Sequence, residues 1–173
     1  MKNVLYYIRW SLALLIFILA AGCASSSTAV IDEEIVTNIK PMNVYKSLII
    51  RDFEVKPEFS IDDSEAGMDK RQRRYAAVPS QLSGQILRYV TSRRIYQSVS
   101  RTEVPTATSL VLSGKFTRMG RFRISIEATL TDGQSGIEVA YFRQTLWDIV
   151  DTTEGIGRLA HEIADFIDRI QYK

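Results

Sequence analysis

The sequence predicts a two-layer α/β sandwich, a mixed but mostly antiparallel sheet with two helices on one face. Three observations carry that expectation. Ser109 to Met119 and Arg121 to Leu130 alternate apolar and polar side chains, the period of strands covered on one side and wet on the other. Leu82, Ile86, Leu87 and Val90, and again Ile156, Leu159, Ile163, Phe166, Ile167 and Ile170, recur at threes and fours, so each segment is a helix with one apolar stripe. The order strand, helix, short strand, three-strand meander, helix leaves both stripes needing the same sheet to cover them.

The elements follow in chain order. Ala29 to Asn43 is mixed in character, contains Pro41, and reads as an extended arm. Tyr45 to Val55 is β-branched and aromatic, and its unbroken Leu48-Ile49-Ile50 suggests a strand covered on both faces before Pro57 ends it. Lys56 to Arg74 has no period and reads as a loop, long for a compact domain. Pro79 suits the first turn of a helix that fades near Ser92 to Arg94, with Gly84 tolerated for close approach to the sheet. Ile95 to Arg101 is a short strand. In the meander, Leu110, Leu112, Gly114 and Phe116 share one face, and Phe122, Ile124, Ile126, Ala128 and Leu130 share another. Gly120 turns the first hairpin, and Thr131 to Gly136 turns the second. Ile137 to Ile149 is the third strand, with Val139, Tyr141, Thr145, Trp147 and Ile149 on one side and Phe142 and Leu146 on the other. Thr152 or Thr153 caps the terminal helix.

The first 22 residues read differently. Lys2 and Arg9 precede the apolar run Trp10 to Ala21, and Leu19-Ala20-Ala21-Gly22-Cys23 closes it. Twelve apolar residues make a helix of about 18 Å, too short for the roughly 30 Å hydrocarbon core. Cys23 is the only cysteine. This run resembles the lipobox of bacterial lipoproteins, with Ala20 where Leu is commoner. The resemblance implies cleavage between Gly22 and Cys23, acylation of Cys23, and firm anchoring by several acyl chains. Ala24 implies sorting to the outer membrane, with the domain on the periplasmic face. An ordinary signal peptide and an uncleaved anchor are the other readings, the latter burying Arg9 at depth. The expected organisation is a signal peptide at 1–22, an acylated cysteine and flexible tether at 23–43, and one periplasmic domain at 44–173.

Charge is segregated. The net +2 belongs to Lys2 and Arg9, so the mature 151 residues are formally neutral. Residues 24–68 carry four basic and nine acidic groups, residues 69–123 twelve and two, and residues 124–173 four and nine. Either the basic middle packs beside its acidic flanks, or it presents a face to an anionic partner such as a phospholipid headgroup, lipopolysaccharide or an acidic protein. Lys70, Arg71, Arg73 and Arg74, joined along the helix by Arg88, Arg93 and Arg94, are the candidate anionic-partner residues; Arg121 and Arg123 could extend the set. Nucleic acid is not expected outside the cytoplasm.

The strand with its helix (Leu82, Ile86, Val90), Tyr96 to Val99, Leu110 to Phe116 and Thr131 to Gly136 together resemble a group of periplasmic lipoprotein domains. The group includes the curli secretion-channel lipoprotein, the lipoprotein activators of penicillin-binding proteins, the N-terminal domain of the Tol translocation protein, and an uncharacterised Gram-negative outer-membrane lipoprotein family. In that resemblance Gly114 and Gly136 serve the backbone, and Asp132 caps a turn. The group includes pore-formers, activators and tethers, so the fold does not choose a function.

Nothing in the sequence assembles a catalytic, metal or cofactor site. His161 is the only histidine and falls off the apolar stripe, where a solvated residue is expected. Without a second histidine or a free thiol there is no zinc site or Cys–His pair. Gly155-Ile156-Gly157 lacks the lysine of a phosphate loop. Asp62-Asp63 and Asp148 with Asp151 are carboxylate pairs of an ordinary loop kind. The expectation is a non-enzymatic, acyl-anchored binding or assembly accessory of the cell envelope with a protein partner there. Its alternatives are an activator of a peptidoglycan synthase, an auxiliary lipoprotein of a lipid transporter, and, further off, an envelope hydrolase. Oligomeric state is left open.

Overall fold

Alternation and stripe become a seven-stranded sheet with two helices packed on one face. The computed structural model describes residues 29–37, 40–55, 70–120, 122–149 and 151–172, with the side chains of 29, 30 and 70–75 outside that description. The strands are β1 (Ala29–Val36), β2 (Ser47–Ile50), β3 (Glu54–Val55), β4 (Ser98–Ser100), β5 (Ser109–Met119), β6 (Arg123–Asp132) and β7 (Glu138–Trp147). The helices are α1 (Lys70–Arg93) and α2 (Thr152–Gln171). The sheet order is β1-β7-β6-β5-β2-β4, with β3 also beside β5. The long ladders β1–β7, β7–β6 and β6–β5 are antiparallel, while β2 and β3 run parallel to β5, and β4 runs parallel to β2.

Those directions give the molecule two ends. At the proximal end β1 begins, β7 finishes, α2 starts and the β5–β6 turn lies. At the distal end lie the β6–β7 hairpin, the 3-10 turn Met42–Val44 and the last turn of α2, where Gln171 donates to the Met42 carbonyl. A Cβ on Gly157 of α2 would meet the Gln85 side chain of α1, and Arg93 pairs with Asp165, so the helices run parallel. Both therefore start at the proximal end.

The core is the apolar stripe of each helix set on the covered face of the sheet. Ile156, Leu159, Ile163, Phe166, Ile167 and Ile170 of α2 and Val78, Leu82, Ile86 and Val90 of α1 are all buried. They meet Leu110, Leu112, Phe116, Ile124, Ile126, Ala128, Leu130, Phe142 and Leu146. The rings of Phe142 and Phe166 stand 5.1 Å apart. Burying one such aromatic side chain stabilises the fold by about 2–3 kcal/mol.

Several expectations need correction. The expected tether contains β1: Ala29 to Val36 pair with β7, so the folded domain starts at 29 instead of 44. Asp32, Glu33 and Glu34 hide this strand in the sequence, because an exposed edge strand carries charge where an inner strand would carry apolar residues. Tyr45 to Val55 is broken into β2 and β3, and Phe53 between them turns into the core. Helix α1 begins at Lys70, so Pro79 is interior. Arg94, in the left-handed region at φ 56°, ends it.

Phe122 lies outside β6 and is 64% exposed, because the Gly120 N–H bonds the Arg123 carbonyl and closes the turn around it. Val139 and Ile149 join the core: the ladder slips between Leu130 and Thr131, and Asp148, at φ 55°, redirects the chain. Asp151, and neither threonine, caps α2 by accepting from the Thr153 N–H.

Gly84 also departs from expectation. A Cβ there meets nothing within 4 Å, so close approach to the sheet is not its reason. Gly84→Ala should therefore stabilise the domain by about 0.5–1 kcal/mol through helix propensity alone. A urea midpoint that moves down would show a cost that open space does not explain.

Candidate functional site

The structure divides the expected basic cluster. Lys70, Arg71, Arg73 and Arg74 occupy the first turns of α1 at the proximal end. Arg74 and Arg93 are nineteen residues apart, about 28 Å along a helix axis, so the two groups stand at opposite ends of α1. Arg93 bonds Asp165 and lies 3.7 Å from Asp168, joining the helices across their distal halves. That is the internal cancellation of basic middle against acidic flank. Arg88 and Arg94 remain exposed. Arg123 lies on the opposite face of the sheet from the helices, and Arg121, Gly22, Cys23, Asp62 and Asp63 lie outside the described residues.

His161 is half-exposed, as expected, with Nδ1 3.1 Å from Asp165 and its ring edge-on to Tyr89. Among the described residues no group of three or more His, Cys, Asp or Glu stands close enough to hold a metal ion. Among the same residues no helix is long and apolar enough to cross a membrane.

The outer face of the sheet carries a shallow open hollow of about 250 Å³ lined by Glu54, Ser113, Lys115, Glu127, Thr129 and Tyr141, among others. Lys115 donates to Glu127 at 2.9 Å, and this bond holds its ammonium above the usual lysine range. Burial raises the Tyr141 phenol, and the Glu127 charge raises it further. An ion pair stands at the centre of this hollow, and each charge occupies the other.

The most developed polar network is distal, where the sequence predicts only a turn cap. Asp132 is 2% exposed. Its Oδ1 accepts from the Gln134 and Ser135 N–H groups and the Ser135 hydroxyl, at 2.8–3.0 Å. Its Oδ2 accepts from Lys40 at 2.7 Å and from the Tyr45 hydroxyl at 3.0 Å. Lys40 first, then the Ser135 N–H, hold its carboxyl well below the ordinary range, against the opposing effect of burial. Burial, then the bond to Asp132, pushes Tyr45 up to about 12. Burial likewise raises Tyr96, whose hydroxyl has no hydrogen-bond partner among the described residues. The network ties the segment after β1 to the β6–β7 hairpin, and it is structural, because every acceptor position is filled. Neither Lys40 nor Tyr45 can be paired with Asp132 from sequence spacing.

The proximal end differs in kind. Arg123 faces Trp147 across the β6–β7 ladder, with its guanidinium carbon 4.2 Å from the ring centroid. Trp147 is 41% exposed and Phe122 64%. One rung inward, Asp32 accepts from the Thr145 hydroxyl at 2.6 Å, and Thr145 lies 3.0 Å from Ser125, fixing the start of β1 to the sheet. Ala29 pairs with Leu146, next to Trp147.

Solved structures share this fold. PelC from Paraburkholderia phytofirmans, determined as a dodecamer, aligns with a TM-score of 0.52 for a single-substitution variant, at 10% identity over 82% of this chain and 97% of PelC. Another crystal form of the PelC dodecamer gives 0.50 at 11% identity, covering 84% and 98%. Protein XCC0632 from Xanthomonas campestris, of the family DUF330, aligns at 0.46 with 13% identity, covering 69% and 84%. No family model matches the sequence, and no curated protein matches it at the level of sequence.

Proposed function

We propose that the chain is a lipid-anchored, non-enzymatic accessory of the cell envelope, held at the outer membrane through Cys23 and facing the periplasm. One observation carries this reading: the lipobox-like run ends at Cys23, and the first strand begins six residues later, at Ala29. A leash of that length spans at most roughly 20 Å. Acyl chains on Cys23 confine the domain to a surface and raise its effective concentration towards partners there. The basic residues at the two ends of α1 are the places where an anionic partner would bind.

The neighbours bear on assembly alone. PelC is a dodecamer; side-by-side association of this chain would use its sheet edges, β1 and β4. Activation of a peptidoglycan synthase and service to a lipid transporter fit the same anchored, binding role.

The test is chemical. Radioactive palmitate should label the wild-type protein and spare Cys23→Ser, and the mature mass should begin at an acylated Cys23. Cys23→Ser should also leave the membrane fraction almost completely. Equal labelling of both proteins would remove the anchor and the function built on it.

A further inference from the structure

The proximal end is the face that the fold turns toward the anchor. β1 begins there, α2 begins there, and the first turns of α1 with Lys70, Arg71, Arg73 and Arg74 lie there. The pairing of Gly157 with Gln85 and of Asp165 with Arg93 sets the start of α2 roughly level with Ser80. The first ten residues of α1 therefore lie beyond the start of α2, a length of about 15 Å. At the same end stand the exposed rings of Phe122 and Trp147, with Arg123 stacked on the indole.

From this we infer that the proximal end is a bilayer-contacting surface: Phe122 and Trp147 insert at headgroup depth while Arg123 and the start of α1 meet lipid phosphates. The inference rests on the anchor at Cys23 and adds to it an orientation. A tryptophan with an apolar body and a polar edge settles at the membrane–water interface. Each basic residue near an anionic surface contributes about 1 kcal/mol, a factor of about five in partition. A guanidinium held over the ring places charge and apolar surface at one depth. Among the described residues no carboxylate pairs with Arg123. Asp151 is engaged in capping α2, which leaves Asp148 as the opposing charge beside Trp147. The other exposed apolar residues lie elsewhere: Val44 and Tyr172 at the distal end, Ile137 on the distal hairpin, Val104 in the loop between β4 and β5, and Ile31 and Ile35 along the β1 edge.

The experiment uses one intrinsic probe, because Trp147 is the sole tryptophan once Trp10 is removed with the first 22 residues. Acylated protein is reconstituted into vesicles of phosphatidylethanolamine and phosphatidylglycerol carrying bromine-labelled acyl chains. Trp147 emission should shift to the blue and lose at least half its intensity to the bromines. In the Trp147→Phe/Tyr172→Trp protein, whose reporter is distal, it should lose almost none.

A second arm uses residues 24–173, which contain every described strand and helix but no anchor. Arg123→Glu should weaken their partition onto the same vesicles at least about fivefold. Phe122→Ala should weaken it too, and Lys46→Glu, an exposed cation at the distal start of β2, should not. Unquenched Trp147 on protein that floats with vesicles overturns the inference, as does equal quenching of the distal reporter. Trp147 unquenched by bromine but shielded from acrylamide in intact envelopes would put a protein on this end, and also overturns it. An unmodified Cys23 in the mass spectrum would instead sink the anchor, and the second arm alone would then decide whether this surface binds lipid.

Discussion

Asp132→Ala should cost about 3 kcal/mol of unfolding free energy, read as a lower urea midpoint at unchanged slope. The carboxylate is buried and accepts five hydrogen bonds, so truncation strands the Lys40 ammonium, the Tyr45 hydroxyl and two backbone N–H groups together. Lys40 is partly exposed and regains water, which keeps the cost below that of a fully buried ion pair. Asp132→Asn retains one acceptor oxygen and should lose about half as much. A loss below about 0.5 kcal/mol for the alanine variant would mean that the network contributes no more than an ordinary solvated side chain.

The same network sets a pH window. The folded Asp132 carboxyl lies below its ordinary value of 3.8, so its contribution is complete above that value and fades as the pH falls through the folded value. Tyr45 is raised from 10.0 to about 12, so its contribution is complete below pH 10 and fades as the pH climbs towards 12. The stability difference between wild type and Asp132→Ala should therefore be flat from about pH 5 to 9 and shrink on the acid side. In the variant, loss of the Asp132 hydrogen bond and charge should let Tyr45 titrate at lower pH, seen as earlier tyrosinate absorbance.

How much of the molecule is legible in its sequence depends on the range of each interaction. Alternation in Leu110 to Phe116 and Ile124 to Leu130 is local, and the stripe Ile156 to Ile170 is local, so the sheet and α2 can be placed without coordinates. β1 cannot, because an edge strand is defined by a partner more than a hundred residues away, and its acidic residues imitate a linker. Phe122 is misplaced when a true alternation is extended one residue into a turn. The Asp132 turn is legible as a turn, but its bonds to Lys40 and Tyr45 join residues 92 and 87 apart, and no spacing rule encodes that. Of the site residues, Cys23 is proposed from a linear motif alone, the kind of signal that needs no coordinates to be seen. The proximal pairing of Arg123 with Trp147 needs the register of β6 on β7. The basic run looks like one cluster only while Lys70 to Arg74 are read as part of a loop free to fold back; a helix that already starts at Lys70 holds its two halves apart.

Gly114→Val should be the most damaging single change in the sheet, with a loss of about 3–5 kcal/mol, enough to leave little folded protein. The reason is not the positive φ of a turn: Gly114 lies within β5, and among the described glycines Gly136 alone has positive φ, at 70°. A Cβ at 114 would meet the Phe53 ring and the Glu127 carbonyl oxygen inside the 3.0 Å that real Cβ atoms respect. Phe53 is 2% exposed and packs edge-on against Phe116 at 6.1 Å, so its ring cannot withdraw without leaving the core. A strand glycine that marks the close approach of another group behaves this way. Gly114→Ala should cost about 2 kcal/mol by the same clash. Combining it with Phe53→Leu separates the two contacts, because the smaller side chain relieves the ring and leaves the carbonyl. The double variant should recover about 1 kcal/mol relative to the sum of the singles, measured as a coupling energy in a urea-denaturation cycle. Strict additivity would move the whole penalty to Glu127 and the β5–β6 ladder, and Phe53 would then be ordinary core.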